Sequence, residues 1–401
     1  MDQERSTFDS IVVGGGPAGL IAAIALARRG LRTVLLAPAA EHEDRRTTAL
    51  LGSSVDILSA LGVWEAIAAK AAPLRQLRLA DGTRRLVRTP EVLFDCREIG
   101  RDAFGYNIAN EALLAILRGA AAGQPDLEVI SQAASAVTLN DEIVSVALPD
   151  GRSMFGKLVV AADGRHSISR AAASIKMAKR ALPQFAVALN FAHTRPHHDV
   201  STEFHTESGP FTLVPLPGLR SSLVWVCTAK EAERIRMTDD AELSEEIARK
   251  SHYIVGSVRI DGPRGVFPLG VEVAERFAVS RVALVGEAGH VIPPIGAQGL
   301  NLGVRDADAI ARLAGDAVRE GRDPGADDVL SAYDVERRAD VRSRAVAVEM
   351  LGRSLLSGFL PIHIARGFGL EIASRVPFLR RNLMRSGLGH DDGGQNTAES
   401  A

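Results

Sequence analysis

Hydrophobic and polar positions along the chain change period several times, and each change marks an element. Ser10 to Val13 is a β-branched run, and Gly14 to Gly19 is a glycine turn. Leu20 to Arg29 carries Ala, Leu and Ile at helical spacing, Gly30 stops it, and Arg32 to Leu36 is a second apolar strand. Strand, turn, helix and strand in that order predict a βαβ opening. A helix is expected over Leu50 to Leu61, ended by Gly62, and another over Asn110 to Ala122. Asp-Gly pairs at Asp81–Gly82 and Asp150–Gly151 predict hairpins joining Leu74–Leu79 to Thr83–Val87 and Ile143–Leu148 to Ser153–Val160.

Between about 183 and 268 the pattern becomes two-residue alternation broken by Pro and Gly, as in Phe185–Phe191, Thr202–Phe204, Phe211–Val214 and Ser222–Cys227. That predicts an antiparallel sheet. A buried strand, Arg281–Val285, then leads into a glycine- and proline-rich loop, Glu287–Gly299, and a helix, Leu300–Leu313. The expected fold class is therefore α/β: a Rossmann-like nucleotide-binding domain in discontinuous pieces (1–73, 96–180 and 266–345), with an inserted sheet domain for substrate (74–95 and 181–265). A C-terminal helical region (346–388) and a disordered tail (389–401) complete it.

Composition narrows the chemistry. The chain of 401 residues has 47 basic and 49 acidic residues, so no global field draws in nucleic acid or an anionic membrane. Cys96 and Cys227 form no CxxC pair, which excludes disulfide frameworks, cysteine zinc sites and dithiol redox chemistry and fits a reducing cytoplasm. No metal is expected. Four histidines, His193, His197, His198 and His205, surround Pro196 without ligand spacing and read as solvated loop residues.

Three segments carry the chemistry. In VVGGGPAGL, Gly14, Gly16 and Gly19 have GxGxxG spacing between strand and helix, with Pro17 and Ala18 opening the helix. Residues without side chains let the backbone turn and approach a pyrophosphate at the helix N-terminus. The acidic residue that usually grips the adenosine ribose is missing, since Ala37 and Pro38 stand there; Glu41 or Glu43 reaches back, or the ribose is held more weakly. In VVAADGRHS, an apolar strand ends at Asp163, which alone suits a helix cap as well as a ligand site. In RVALVGEAGHVIPPIGAQGLNLGVRDADAIA, a strand delivers Gly286 and Glu287 to its C-terminal edge. Gly296, Gln298, Gly299, Leu300 and Asn301 then lead to a helix N-terminus, which suits an anionic ring. His290 either tunes that ring or satisfies the backbone.

GGGPAG, AADGRHS and GEAGHVIPPIGAQGLNLG, in that order, resemble the single-component FAD-dependent aromatic hydroxylases (class A flavin monooxygenases), and most of all their ubiquinone-biosynthesis branch. The resemblance runs from Asp9 to about Leu388 and includes RTTALLGSSVDILSALGVW (Arg46–Trp64), FGYNIANEALL (Phe104–Leu114), the stretch Gly209–Trp225 and VPFLRRNLM (Val376–Met384). It implies FAD as cofactor, with Gly14, Gly16 and Gly19 at the pyrophosphate, Arg46 on the FAD, Asn110 near the ribityl chain and Asp163 at the site shared by FAD and the nicotinamide donor. Glu287 would accept from the ribityl hydroxyls, and Gly299, Leu300 and Asn301 would line the ring. Glu287 replaces a more usual Asp, and Glu111 stands where many relatives have Arg.

The implied reaction is reduction by NAD(P)H, capture of O2 as a flavin C4a-hydroperoxide and hydroxylation of an aromatic ring, here of a polyprenylated phenol or benzoquinone precursor of ubiquinone. Another small aromatic substrate, or a non-catalytic flavoprotein subunit, are the competing readings. The hydrophobic aromatic substrate would lie between flavin and inserted sheet. Phe211, Leu213 and Trp225 are candidates for the wall, against plain sheet core, which their alternation favours. From Val335 to Arg385 ten Arg face four acids among apolar patches. This end suits an anionic membrane surface or partner proteins of the ubiquinone pathway, and equally a helical pair with a solvated basic face.

Overall fold

The computed structural model describes residues 7–38, 44, 46–83, 90–356, 380–382 and 384–385, the side chains of 295 and 347–356 excepted. Its helices are α1 (Pro17–Arg28), α2 (Gly52–Ala60), α3 (Trp64–Ala68), α4 (Asn110–Ala122), α5 (Ile168–Ala172), α6 (Ala229–Met237), α7 (Asp240–Lys250), α8 (Gln298–Arg319) and α9 (Asp327–Leu356).

The first sheet grows from the βαβ opening. Thr7–Val13 is its centre, flanked in parallel by Thr33–Leu36 and Ser153–Ala161; Leu127–Ile130 and Val282–Leu284 extend it in parallel on either side. Buried on both faces, these strands are nearly continuous apolar runs, as Val-Ala-Leu at Val282–Leu284 shows. One face packs on α1, α4 and α8. Within α1 every residue from Gly19 to Ala27 is buried, because the helix lies between that face and its neighbours. The hairpin at Asp150–Gly151 forms as expected, with Val144–Ala147 antiparallel to the start of Ser153–Ala161.

The second sheet is antiparallel apart from one parallel pair, and its spine is the long strand Met177–His193. Arg220–Thr228 and Gly265–Ala274 flank it. Beyond Arg220–Thr228 come Pro210–Leu216, Val200–His205, Gln76–Asp81 and Val92–Asp95. The other edge closes with the two-residue strand His290–Val291, which belongs to the third glycine-rich segment. The sheet is therefore tied directly to the loop that it covers.

Three elements differ from expectation. Leu50 and Leu51 end a strand, Thr47–Leu51, and the helix starts only at Gly52, because Thr47–Leu51 pairs with Gly105–Ala109. Gln76–Asp81 pairs with Val92–Asp95; Thr83 is outside any strand, and the rest of the expected partner, 84–87, lies outside the described residues. Inside the sheet region sit two helices, α6 and α7, whose apolar positions Ala232, Ile235, Leu243 and Ile247 cover one face of the sheet. Glu41 and Glu43, most of the C-terminal region and the tail fall outside the described residues.

Candidate functional site

The three glycine-rich segments converge where strand ends meet helix starts. Gly14 has φ of +118°, and a Cβ there would lie 2.2 Å from the Ala162 carbonyl oxygen. Only glycine fits, so the first segment seats directly on the second. Ala18, in the first turn of α1, lies against the third: a Cβ on Gly286 or on Gly303 would sit 3.2 Å from its methyl group. Arg170 completes the triangle by donating to the Ala288 carbonyl at 2.8 Å.

Around this junction the backbone is left open. A Cβ built on Gly16, Gly164 or Gly299 would meet nothing within 4 Å. Gly16 caps α1 without a side-chain bond and Pro17 follows it, so the first-turn N–H groups of α1 keep no intrahelical partner. Helix α8 begins the same way. Its cap, Ala297, holds a left-handed φ of 55° after Gly296 at 70°, a strained approach that turns the chain sharply into the helix. Two helix N-termini, bare of capping side chains and beside uncovered glycines, fit an extended anionic dinucleotide.

Asp163 uses one of its two carboxylate oxygens within the fold. Oδ2 accepts from the Ser169 N–H at 3.1 Å and the Ser169 hydroxyl at 3.0 Å, which holds the start of α5, while Oδ1 is buried with no partner. An orphaned buried carboxylate oxygen is costly unless something donates to it. Glu287 is exposed, and its Oε2 lies 3.4 Å from Nε of Arg165. Arg46 and Asn110 meet at Asp44: Arg46 donates Nε and Nη2 to it at 2.8 Å each, and Asn110 donates Nδ2 at 2.8 Å. Burial opposes ionisation of Asp44, but the Arg46 and Asn110 donors hold its carboxyl below the usual range.

Gln298 and Asn301 turn their amides inward. Gln298 donates to the Gly296 carbonyl at 3.1 Å. Asn301 accepts from the Leu51 N–H at 2.8 Å and donates to the carbonyls of Ala49 (2.8 Å) and Ala297 (2.6 Å). These side chains fix the loop, leaving the backbone of Gly299 and Leu300 for a ligand. His290 is buried and bonds the Asp306 carboxylate through Nε2 at 2.7 Å, while its Nδ1 has no hydrogen-bond partner, so it satisfies no backbone group.

The wall candidates require a correction. Phe211, Leu213 and Trp225 are 0%, 3% and 0% exposed and pack with Ile235, Leu243 and Ile247 of α6 and α7. They form the core between sheet and helices. Strand alternation puts their neighbours on the other face. There Ser222 accepts from Thr47 at 3.0 Å, and Phe267, cross-strand from Ala186, lies under the Arg46 guanidinium at 5.6 Å. Val224, Ala188 and Thr212 share that face by register. Phe267 is 37% exposed and was not anticipated, although its position in an alternating strand was a usable signal.

Of the four histidines only His198 is exposed. His193 is buried and bonds Ser221 Oγ at 3.1 Å, and burial pushes its pKa down; His197 bonds the Leu216 carbonyl and His205 bonds Glu203. Among the described residues no group of three His, Cys, Asp or Glu is placed to hold a metal ion.

A parallel sheet with a glycine-lined junction at its strand ends, covered by an antiparallel sheet, fits an FAD-binding enzyme, and its relatives make it a flavin-dependent monooxygenase. The chain belongs to the FAD-binding domain family, whose sequence profile matches residues 7–347, and FAD is its cofactor. It is 30% identical to ubiquinone hydroxylase UbiL of Rhodospirillum rubrum over 95% of this chain and 89% of the relative. It is 29% identical to 3-demethoxyubiquinol 3-hydroxylase of Escherichia coli, over 94% and 97%. Among solved structures it is similar in fold to p-nitrophenol 4-monooxygenase PnpA of Pseudomonas putida, with a TM-score of 0.78 and 20% identity over 94% of this chain and 97% of that one. Klebsiella pneumoniae HpxO, complexed with FAD and uric acid, matches with a TM-score of 0.74 and 19% identity over 94% and 96%.

Proposed function

We propose that this enzyme hydroxylates the aromatic ring of a polyprenylated phenol or benzoquinone precursor in ubiquinone biosynthesis, with NAD(P)H and O2 as co-substrates. The observation that carries the reading is similarity over nearly the full length to relatives named as ubiquinone hydroxylases, the 97% coverage of the Escherichia coli enzyme above all. Bound FAD would supply the redox chemistry, accepting hydride from NAD(P)H and activating O2.

The protein's part is positioning. Gly14, Gly16, Pro17, Ala18 and Gly19 would carry the pyrophosphate on the N-terminus of α1. Arg46 and Asn110, held by Asp44, would meet the FAD beyond it, and the free Oδ1 of Asp163 and the carboxylate of Glu287 would accept from it. The stretch from Gly296 to Asn301 would present the N–H groups of α8 to the ring. Val224, Ala188 and Phe267 would form the apolar wall that holds the substrate ring and keeps water out. In the basic region Val335–Arg385, Arg337 and Arg344 are paired inside the molecule and Arg380 with Glu98; the remaining basic residues would meet an anionic membrane surface or other proteins of the pathway, where a water-insoluble substrate is handed over.

Deleting the gene and resolving quinone intermediates by mass spectrometry tests this. The expected result is loss of ubiquinone and accumulation of an under-hydroxylated polyprenyl precursor. An unchanged ubiquinone pool, with NAD(P)H oxidation stimulated by simple hydroxybenzoates, would make the enzyme a small-phenol hydroxylase instead.

A further inference from the structure

Behind the loop that leads into α8 lies a buried group of charges that the positioning roles above do not use. Asp306, fully buried on α8, accepts from the Gly286 N–H at 2.9 Å, from His290 Nε2 at 2.7 Å and from Arg337 Nε of α9 at 2.7 Å. Asp340, one turn along α9, lies 2.8 Å from Nη2 of Arg337, 3.2 Å from Nε of Arg305 and 3.1 Å from Nε of Arg344. Arg344 reaches Oε1 of Gln298, the first residue of α8, at 3.4 Å. The group thus touches both Gly286, next to Glu287, and the head of α8.

Three guanidiniums share two carboxylates, which leaves one positive charge in surplus. Nη2 of Arg337 makes no hydrogen bond, and the pairing is least complete at Arg305, whose side chain is 13% exposed and whose Nε and Nη2 make none either, though Nε lies 3.2 Å from Asp340. Burial, with Arg344 and Arg337 nearby, presses its pKa down to about 10, against the pull of Asp340, and it remains charged at neutral pH. An incompletely paired buried charge is expensive, and hydrophobic residues of the same size would serve stability at least as well. Its field adds to that of the α8 N-terminus, from which Arg305 stands seven residues, or about 10 Å, down the helix.

We infer that the surplus charge of Arg305, Arg337 and Arg344 raises the reduction potential of the flavin at the head of α8. Reduction adds two electrons and one proton, as hydride from NAD(P)H, to a neutral ring and leaves an anion, with oxidised nicotinamide as the other product. A buried cation favours that anion over the oxidised ring. The inference rests on FAD binding at this site and not on the substrate.

The test is the midpoint potential of the FAD-loaded protein, titrated spectrophotometrically against a reference dye with no substrate present. Arg305→Gln is expected to weaken reduced FAD relative to oxidised FAD about tenfold, a fall of about 30 mV for a two-electron couple. Arg305→Lys keeps the charge and the potential, and Asp340→Asn shifts the potential upward. Should Arg305→Gln fail to fold, Arg344→Gln, at a more accessible site, is expected to lower the potential as well. An unchanged potential in both Gln variants overturns the inference, as do shifts of the same sign in Arg305→Gln and Asp340→Asn, which mark disturbed packing. A wild-type protein that takes up no FAD would instead defeat the flavin reading on which the inference rests.

Discussion

Truncating Phe211 separates the two faces of the antiparallel sheet. The ring is fully buried and packs edge-on to Trp225 with centroids 5.2 Å apart, under α6 and α7. Removing it forfeits about 2–3 kcal/mol of transfer free energy. The aromatic pair is worth about 0.5–1.5 kcal/mol more, and the remaining cavity about 24 cal/mol per Å3. Phe211→Ala should therefore cost about 3–5 kcal/mol, read as a lower urea midpoint with unchanged slope, while the KM for the aromatic substrate stays within about twofold. Phe267→Ala, on the opposite face and 37% exposed, should show the reverse: little change in the urea midpoint and a raised substrate KM. If Phe211→Ala left stability within about 1 kcal/mol of wild type and raised KM tenfold, the assignment of faces would be wrong.

Gly14→Ala should abolish recovery of FAD-loaded protein, since the left-handed backbone costs about 1–3 kcal/mol and the new Cβ would press on the Ala162 carbonyl, which cannot yield; flavin absorbance of the purified variant checks this. Asp306→Asn should cost about 2–3 kcal/mol at pH 7 by leaving Arg337 with Asp340 as its one remaining carboxylate. Although burial opposes it, His290 and Arg337 hold the Asp306 pKa at about 2 against an ordinary 3.8. The wild type therefore has this stabilisation in full above about pH 4 and loses it as pH falls through about 2. Urea midpoints measured down the acid limb should show wild type and variant converging, and a constant gap would contradict the assignment.

How much of this was legible depended on whether a feature is local. The glycines were legible because a backbone that must turn at φ +118° beside a carbonyl has a one-residue solution, which the sequence displays as spacing. Alternation likewise marked the antiparallel sheet. It did not say which face meets the cofactor, because both faces of Arg220–Thr228 are covered, Trp225 by helices and Ser222 by Thr47 and Asn107. Helices α6 and α7 escaped notice because their sparse apolar positions lie among many charges. Leu50 and Leu51 read as a helix start because the end of a five-residue strand cannot be told from a helix by period; the partner of Thr47–Leu51, Gly105–Ala109, decides the matter. The Asp306 cluster was the least legible. Its members run from Gly286 to Arg344, and only the packing of α9 on α8 brings them together, although an Asp on the buried face of an amphipathic helix is itself a signal that a buried cation awaits it.

The central claim is that FAD held at the three-segment junction oxygenates a polyprenylated ring. The most direct measurement incubates the FAD-loaded protein with NADH, a polyprenylphenol in detergent micelles and 18O2, and weighs the product by mass spectrometry. The account predicts a product carrying one 18O atom per turnover. NADH consumption that yields only hydrogen peroxide, or a product whose new oxygen comes from water, would contradict it.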